Sequence, residues 1–267
     1  MNLETICSKY PILLNYGSIQ ELIDLKEPIV TIAMLSYRRP KSLIKTLKQL
    51  LSNGTPLNLC LNVQGQEELS DDIKEEIEGL VCQFYNYLLD YSDGNLGSGI
   101  PRHRMLHEAL KLNTPYLMFT DDDMHWKPNS IVAQISVLES LPESYAGIGS
   151  VCTPFYPAYF YKEGKITQKV IDTEFMECDL MGSGTSIFKS HIFEKCDLDV
   201  GYNRGLQDFD HCMNIRSNGW QLGIMNIPEL WADNNAFEKN NHNYTQERYN
   251  KEIIQKSRER FKNKWGM

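Results

Sequence analysis

Three consecutive carboxylates, Asp121, Asp122 and Asp123, follow the apolar run Tyr116–Phe119 after a single threonine, Thr120. Carboxylate oxygens suit hard divalent cations, and a cation held by two of them can in turn bind a diphosphate. Side chains alternate along a strand, so Asp121 and Asp123 are expected to share one side and the metal, with Asp122 turned away. Taken alone, the triplet reads equally well as a solvated acidic turn that caps a strand and starts a helix.

Four other clusters carry chemistry-bearing side chains. Ser36, Tyr37 and Arg38 lie just after the run Ile29–Leu35, where a hydroxyl, a ring and a cation suit a nucleoside. The stretch Asp93-Gly94-Asn95-Leu96-Gly97-Ser98-Gly99 leads into a helical segment with Arg102 and Arg104. Glycines admit close backbone approach, and amides at a helix start attract phosphate. The spacing is neither a Walker loop nor a dinucleotide fingerprint. Gln207-Asp208-Phe209-Asp210 precedes a helical stretch that stops at Gly219; its aspartates serve as helix caps or as a general base. His242, with His125 as a competitor, is a candidate imidazole ligand to the same metal.

The elements that position these residues alternate. Strands are expected at 29–35, 57–63, 85–89 and 116–119, with helices starting near Pro40 and spanning 70–82 and 102–112. Leu43, Leu47 and Leu50 recur at helical spacing, whereas Leu57–Val63 alternates. Such alternation implies βαβ units, an α/β fold and a mostly parallel central sheet flanked by helices. Further strands are expected at 146–152 and 186–188, with aromatic loop material (Phe155, Tyr156, Tyr159, Phe160, Tyr161) between them as a wall for a second substrate. One domain suffices. A helical lead-in covers 1–27, the main domain covers 28–243 with a boundary between halves near 125, and a basic helix covers 244–267. That last helix carries Ile253, Ile254, Phe261 and Trp265, which pack on the domain or rest on an anionic membrane.

Composition limits the function. The chain has 267 residues, 42% of them hydrophobic, and a net charge of −8, so nucleic acid is not an expected partner. Seven scattered cysteines form no Cys-x-x-Cys pair, and the sequence has neither a membrane-spanning run nor a secretory signal. A cytoplasmic protein is expected.

In their order along the chain, Ser36-Tyr37-Arg38-Arg39, Asn95-Leu96-Gly97 with Arg102, Asp121-Asp122-Asp123, Gly182-Ser183-Gly184, Gln207-Asp208-Phe209-Asp210 and Gly219-Trp220 resemble the family 2 glycosyltransferases of the GT-A fold. The resemblance covers roughly residues 28–265. It implies a GT-A-type domain with a Rossmann-like nucleotide half (28–125) and an acceptor half (126–243). It implies Mn2+ or Mg2+ on Asp121 and Asp123, with His242 as a further ligand. A nucleotide-sugar, most simply a UDP-sugar, would meet Ser36, Tyr37, Arg38, Asn95, Gly97, Arg102 and Asp122. Asp208 is implied as the base of an inverting transfer, and Gly182, Ser183, Gly184 and Gln207 as the acceptor side. Two departures stand out. Gln207 replaces the family's glutamate, and Val63-Gln64-Gly65-Gln66 lacks an aspartate for the base, leaving that contact to Asp90 or Asp93. The expected acceptor is a bacterial surface glycan or its lipid-linked precursor, reached from the cytoplasmic membrane face. A protein, a metabolite or modified DNA are alternative acceptors. A nucleotidyltransferase would open with a glycine-rich loop, which Ser36–Pro40 is not. A non-catalytic binding module would be expected to have lost the aspartates.

Overall fold

The computed structural model describes residues 3–151, 157–230, 233–234 and 250–266. His242, Phe155 and Tyr156 lie outside them. Two short helices, α1 (Leu3–Lys9) and α2 (Tyr16–Ile23), lead into β1 (Val30–Tyr37), α3 (Pro40–Leu51), β2 (Leu57–Gln64), α4 (Asp71–Val81), β3 (Tyr87–Ser92), α5 (Gly99–Leu110) and β4 (Tyr116–Asp121). Then come β5 (Met124–His125), α6 (Ser130–Ser140), β6 (Tyr145–Ser150), β7 (Pro157–Lys162), β8 (Lys165–Val170), β9 (Phe175–Cys178), β10 (Thr185–Lys189), α7 (Gln207–Ser217), β11 (Gln221–Met225), β12 (Asp233–Asn234) and α8 (Lys251–Trp265).

The main sheet has eight strands in the order β3-β2-β1-β4-β10-β6-β11-β9. β1 to β4 are parallel, β6 and β11 are parallel to each other, and β10 and β9 run against their neighbours. The mostly parallel α/β sheet expected from the sequence is present. The central strands β1 and β4 are buried along almost their whole length on both faces, which is why they read as apolar runs. Ile32, Met34, Leu59, Leu61 and Met118 point into one core, filled from α3 by Leu43, Leu47 and Leu50. Ala33, Cys60, Leu117 and Phe119 point into the other, filled from α5 by Met105, Leu106 and Ala109. Each fully buried leucine there stabilises the fold by roughly 1.5–3 kcal/mol relative to exposure.

Two expectations shift. The third strand begins two residues later, after the turn in which the Tyr85 N–H donates to the Leu57 carbonyl. Tyr159, Phe160 and Tyr161 stand in a hairpin strand, β7 against β8, and not in a loop. The boundary near 125 falls between β4 and β10, so each half contributes four neighbouring strands to one continuous sheet. The lead-in is equally integral: Ile6, Tyr10, Leu13 and Ile19 are buried in the first core.

Candidate functional site

Parallel strands end together, and the carboxyl ends of β1, β2, β3 and β4 bring Tyr37, Gln64, Ser92 and Asp121 to one edge of the sheet. Open α/β sheets bind ligands at that edge. β10 runs antiparallel to β4, pairing Thr185 with Thr120, so Gly182, Ser183 and Gly184 arrive beside Asp121 from the opposite direction. Gly184 fits because it has no side chain: a Cβ there would lie 2.9 Å from Asp121 Oδ2. A cleft of about 460 Å3 opens over this edge.

Arg102 is the centre of the cleft. Its buried guanidinium donates to Asp121 Oδ1 at 3.1 Å, to Asp208 Oδ1 at 3.2 Å and to the Ser183 hydroxyl. The Ser183 hydroxyl in turn donates to Asp208 Oδ1 at 2.8 Å. Four residues expected to take part, drawn from β4, α5, the loop before β10 and α7, thus form one charge-assisted network. Ser36, Tyr37, Asn95, Gly97 and Gln207 also line the cleft. The Gln207 amide nitrogen is buried with no partner among the described residues.

The aspartate triplet is arranged differently from the expectation. β4 ends at Asp121, and Asp122 and Asp123 form the turn that follows, so strand alternation does not reach them. Asp121 faces the cleft, with 42% of its side chain exposed. Asp122 and Asp123 both pair with Arg39, and the Ser36 hydroxyl donates to Asp122 Oδ2 at 2.6 Å. Asp122, not turned away from its neighbours, shares a guanidinium with Asp123. Burial pushes the Asp122 carboxyl up to about 7, against the opposing pull of Arg39 and Ser36.

Arg39 is the residue that the sequence reading passed over. Arg38 takes a left-handed backbone, with φ of 54°, which sends its own side chain to Glu68 and over the Tyr37 ring and so away from the cleft. Arg39 reaches the cleft in its place. Gln64 was a second omission. Its amide accepts from the Leu96 N–H at 2.7 Å and donates to the Gly97 carbonyl at 3.0 Å, bracing the loop before α5. The Gly97 N–H is bound by Asn95 Oδ1 and the Ser98 N–H by the Asn203 carbonyl. These amides are therefore not an open phosphate cradle; the cationic groups of the cleft are guanidinia. Asp93 is exposed and bonds Gln66, while Asp90 bonds Asn62 and Arg104. Neither lines the cleft.

Asp208 and Asp210 lie inside the first turn of α7, and neither caps it: the cap position is Leu206, with no side-chain bond. Asp208 faces the cleft, whereas buried Asp210 accepts from Tyr202, Lys264 and the Trp265 indole, at 3.1, 2.9 and 2.7 Å. This clamp fixes α8, whose Phe261 is fully buried and whose Ile254 and Arg258 form a wall of the cleft. The apolar side of α8 therefore packs on the domain. None of the described helices is long and apolar enough to cross a membrane.

A divalent cation fits part of the predicted donor set. Asp121 presents a hard oxygen to the cleft, and magnesium is commonly held by one or two carboxylates together with phosphate oxygens and water. Asp123 is 97% buried on Arg39 as a side chain and lines no part of the cleft, so a chelate by Asp121 and Asp123 is not formed in this arrangement.

Among solved structures, the fold is similar to S. aureus TarS 1-349 in complex with UDP, with a TM-score of 0.53 and 13% identity, covering 76% of this chain and 59% of that one. A second S. aureus TarS structure gives a TM-score of 0.54 at 14% identity, covering 76% of this chain and 36% of that one. The chain thus spans less than two thirds of the proteins it resembles. The fold is GT-A-like. No family model and no curated protein matches the sequence.

Proposed function

We propose that this protein transfers one sugar from a nucleotide-sugar, a UDP-sugar first among them, to an acceptor hydroxyl. The observation that carries the reading is the Arg102 network, which joins Asp121, Ser183 and Asp208 inside a cleft at the carboxyl edge of the sheet. A neighbour of the same fold was solved with UDP, which supports the choice of donor.

In this reading the nucleoside lies over Ser36 and Tyr37, and the diphosphate faces Arg102. Both protein contacts to Asp208 fall on Oδ1, which leaves Oδ2 to take the proton of the acceptor hydroxyl. The acceptor oxygen attacks the anomeric carbon, the bond to the phosphate oxygen breaks, and the configuration inverts. Arg102 meets the negative charge that grows on the leaving diphosphate. A divalent cation on Asp121 would add Lewis-acid stabilisation of that same charge. Gln207 Nε2, a donor without a partner among the described residues, would orient the acceptor. Arg204 and Arg258 on the rim suit a phosphate of a lipid-linked glycan precursor, brought to the cleft from a membrane surface.

The test is nucleotide release with and without manganese, as the diphosphate from UDP-, GDP- and dTDP-sugars and as CMP from CMP-sugars. One donor class should turn over, and Asp208→Asn should reduce turnover by roughly 100-fold or more while leaving nucleotide affinity intact. Full turnover by Asp208→Asn would remove it as the base, and turnover of no donor would reject the transferase reading.

A further inference from the structure

A second constellation lies away from the cleft, and the transfer reaction makes no use of it. His103 and His107 stand one turn apart on α5, and both present Nε2 to the carboxylate of Asp197, in the segment between β10 and α7. His103 Nε2 is 3.1 Å from Asp197 Oδ2, and His107 Nε2 is 3.1 Å from the same oxygen and 3.2 Å from Oδ1. The two Nε2 atoms are themselves 3.1 Å apart.

Hydrogen bonding alone serves this triangle poorly. If each imidazole donates its Nε2 proton to the carboxylate, two N–H groups face each other at contact distance. If one gives up that proton, it loses its bond to Asp197. A cation at the centre satisfies all three groups at once. Donors about 2.0–2.1 Å from a zinc-sized ion lie about 3.3 Å apart in a tetrahedron and about 2.9 Å apart at an octahedral corner, and the observed edges fall between the two. Two imidazoles and a carboxylate are a borderline ligand set, suited to zinc, cobalt, nickel or ferrous ions more than to magnesium.

The carboxylate is also held in place. The Leu198 N–H donates to Asp197 Oδ1 at 2.7 Å, and Asn214 on α7 donates to the Asp197 carbonyl at 3.0 Å. All three side chains are partly exposed, so water can complete the coordination sphere.

We propose that His103, His107 and Asp197 form a zinc-type divalent metal site that ties α5 to the segment leading into α7. The tie matters because both partners reach the cleft: α5 carries Arg102, and Asn203 and Arg204, a few residues beyond Asp197, line the cleft wall. The site is independent of the proposed transfer and stands or falls separately.

The experiment uses untagged full-length protein, stripped with chelator and titrated with Zn2+ against a competing dye, with Co2+ absorption as a second readout. The wild type and Asp121→Asn should each bind one zinc at the site. His103→Gln/His107→Gln should lose it, weakening affinity by well over the roughly 10–100-fold that outer-shell substitutions cost. Zinc should also raise the unfolding midpoint of the wild type and not of the double variant. His107→Gln alone, at an exposed helix position, serves if the double variant fails to fold. Absence of zinc binding by the wild type would overturn the proposal. So would undiminished binding by the histidine variants, or loss of the zinc in Asp121→Asn, which would place the ion in the cleft.

Discussion

Replacing Arg102 by alanine removes a guanidinium that touches Asp121, Ser183 and Asp208 together, and the cost divides between stability and activity in a way the geometry fixes. Stripping a cation from a fully buried pair costs about 3–5 kcal/mol. Asp121 and Asp208 keep 42% and 37% of their side chains exposed, so solvent screens the carboxylates left behind. The discounted loss is about 1–2 kcal/mol, or roughly 2–8 °C in unfolding midpoint for a chain of this size. The chemical step should suffer more. A preorganised donor aimed at developing negative charge is worth about 2.7–4 kcal/mol, so kcat should fall roughly 100- to 1,000-fold. Arg102→Lys separates the two effects. It keeps one charge against the carboxylates, and hence most of the stability, but a single ammonium cannot reproduce a fork directed at three acceptors. Sugar-nucleotide turnover and thermal unfolding, measured on both variants, decide the matter. A lysine variant with near-normal kcat would refute the claim that the fork geometry is needed. An alanine variant whose turnover falls only in proportion to its unfolded fraction would reduce Arg102 to a structural role.

Other consequences can be checked alongside. Asp121→Asn should abolish the manganese dependence of UDP binding in calorimetry, whereas Asp123→Asn should chiefly lower the unfolding midpoint by freeing part of Arg39; equal loss of metal dependence in both would restore a paired chelate. Burial holds the His211 imidazole down at about 4, against an ordinary value of 6.5. The unfolded chain therefore binds a proton that the folded one refuses between those values. This contribution is full above pH 6.5 and is lost as the pH falls to 4, about 3 kcal/mol in all. Asp122, raised to about 7, acts in the opposite sense, so the signal is the difference between wild type and His211→Phe in urea unfolding at pH 7 and pH 4.5. The variant should be flatter with pH, and parallel curves would argue against a neutral buried imidazole. Phe261→Ala, at a fully buried position of α8, should cost about 3–5 kcal/mol in denaturant unfolding. A loss below 1 kcal/mol would mean that α8 is not docked as described.

β1 and β4 were legible because burial on both faces of a parallel sheet leaves a continuous apolar trace, β2 because Leu57–Val63 alternates, and α3 because its leucine stripe has helical spacing. Gathering Arg102, Asp121, Ser183 and Asp208 into one cleft was implied by the family resemblance of their motifs. What escaped depended on backbone events without a periodic signature. The left-handed turn at Arg38 exchanges the roles of two adjacent arginines, and the end of β4 at Asp121 breaks the alternation that had paired Asp121 with Asp123. The partnership of Asp210 with α8 spans 55 residues, and nothing local to either segment announces it.

The clamp on α8 also bears on when the cleft becomes whole. β1 to β4 pair with one another, so the floor of the cleft can form from the first 121 residues. Ser183 and Asp208 come later, and the wall containing Ile254 and Arg258 closes only when Lys264 and Trp265 reach Asp210. Contacts of long sequence separation form slowly, because the chain between them must first be ordered. During synthesis the sheet edge can therefore stand ready well before the last helix docks, and a chain that has reached residue 230 has the floor of the cleft without a finished wall.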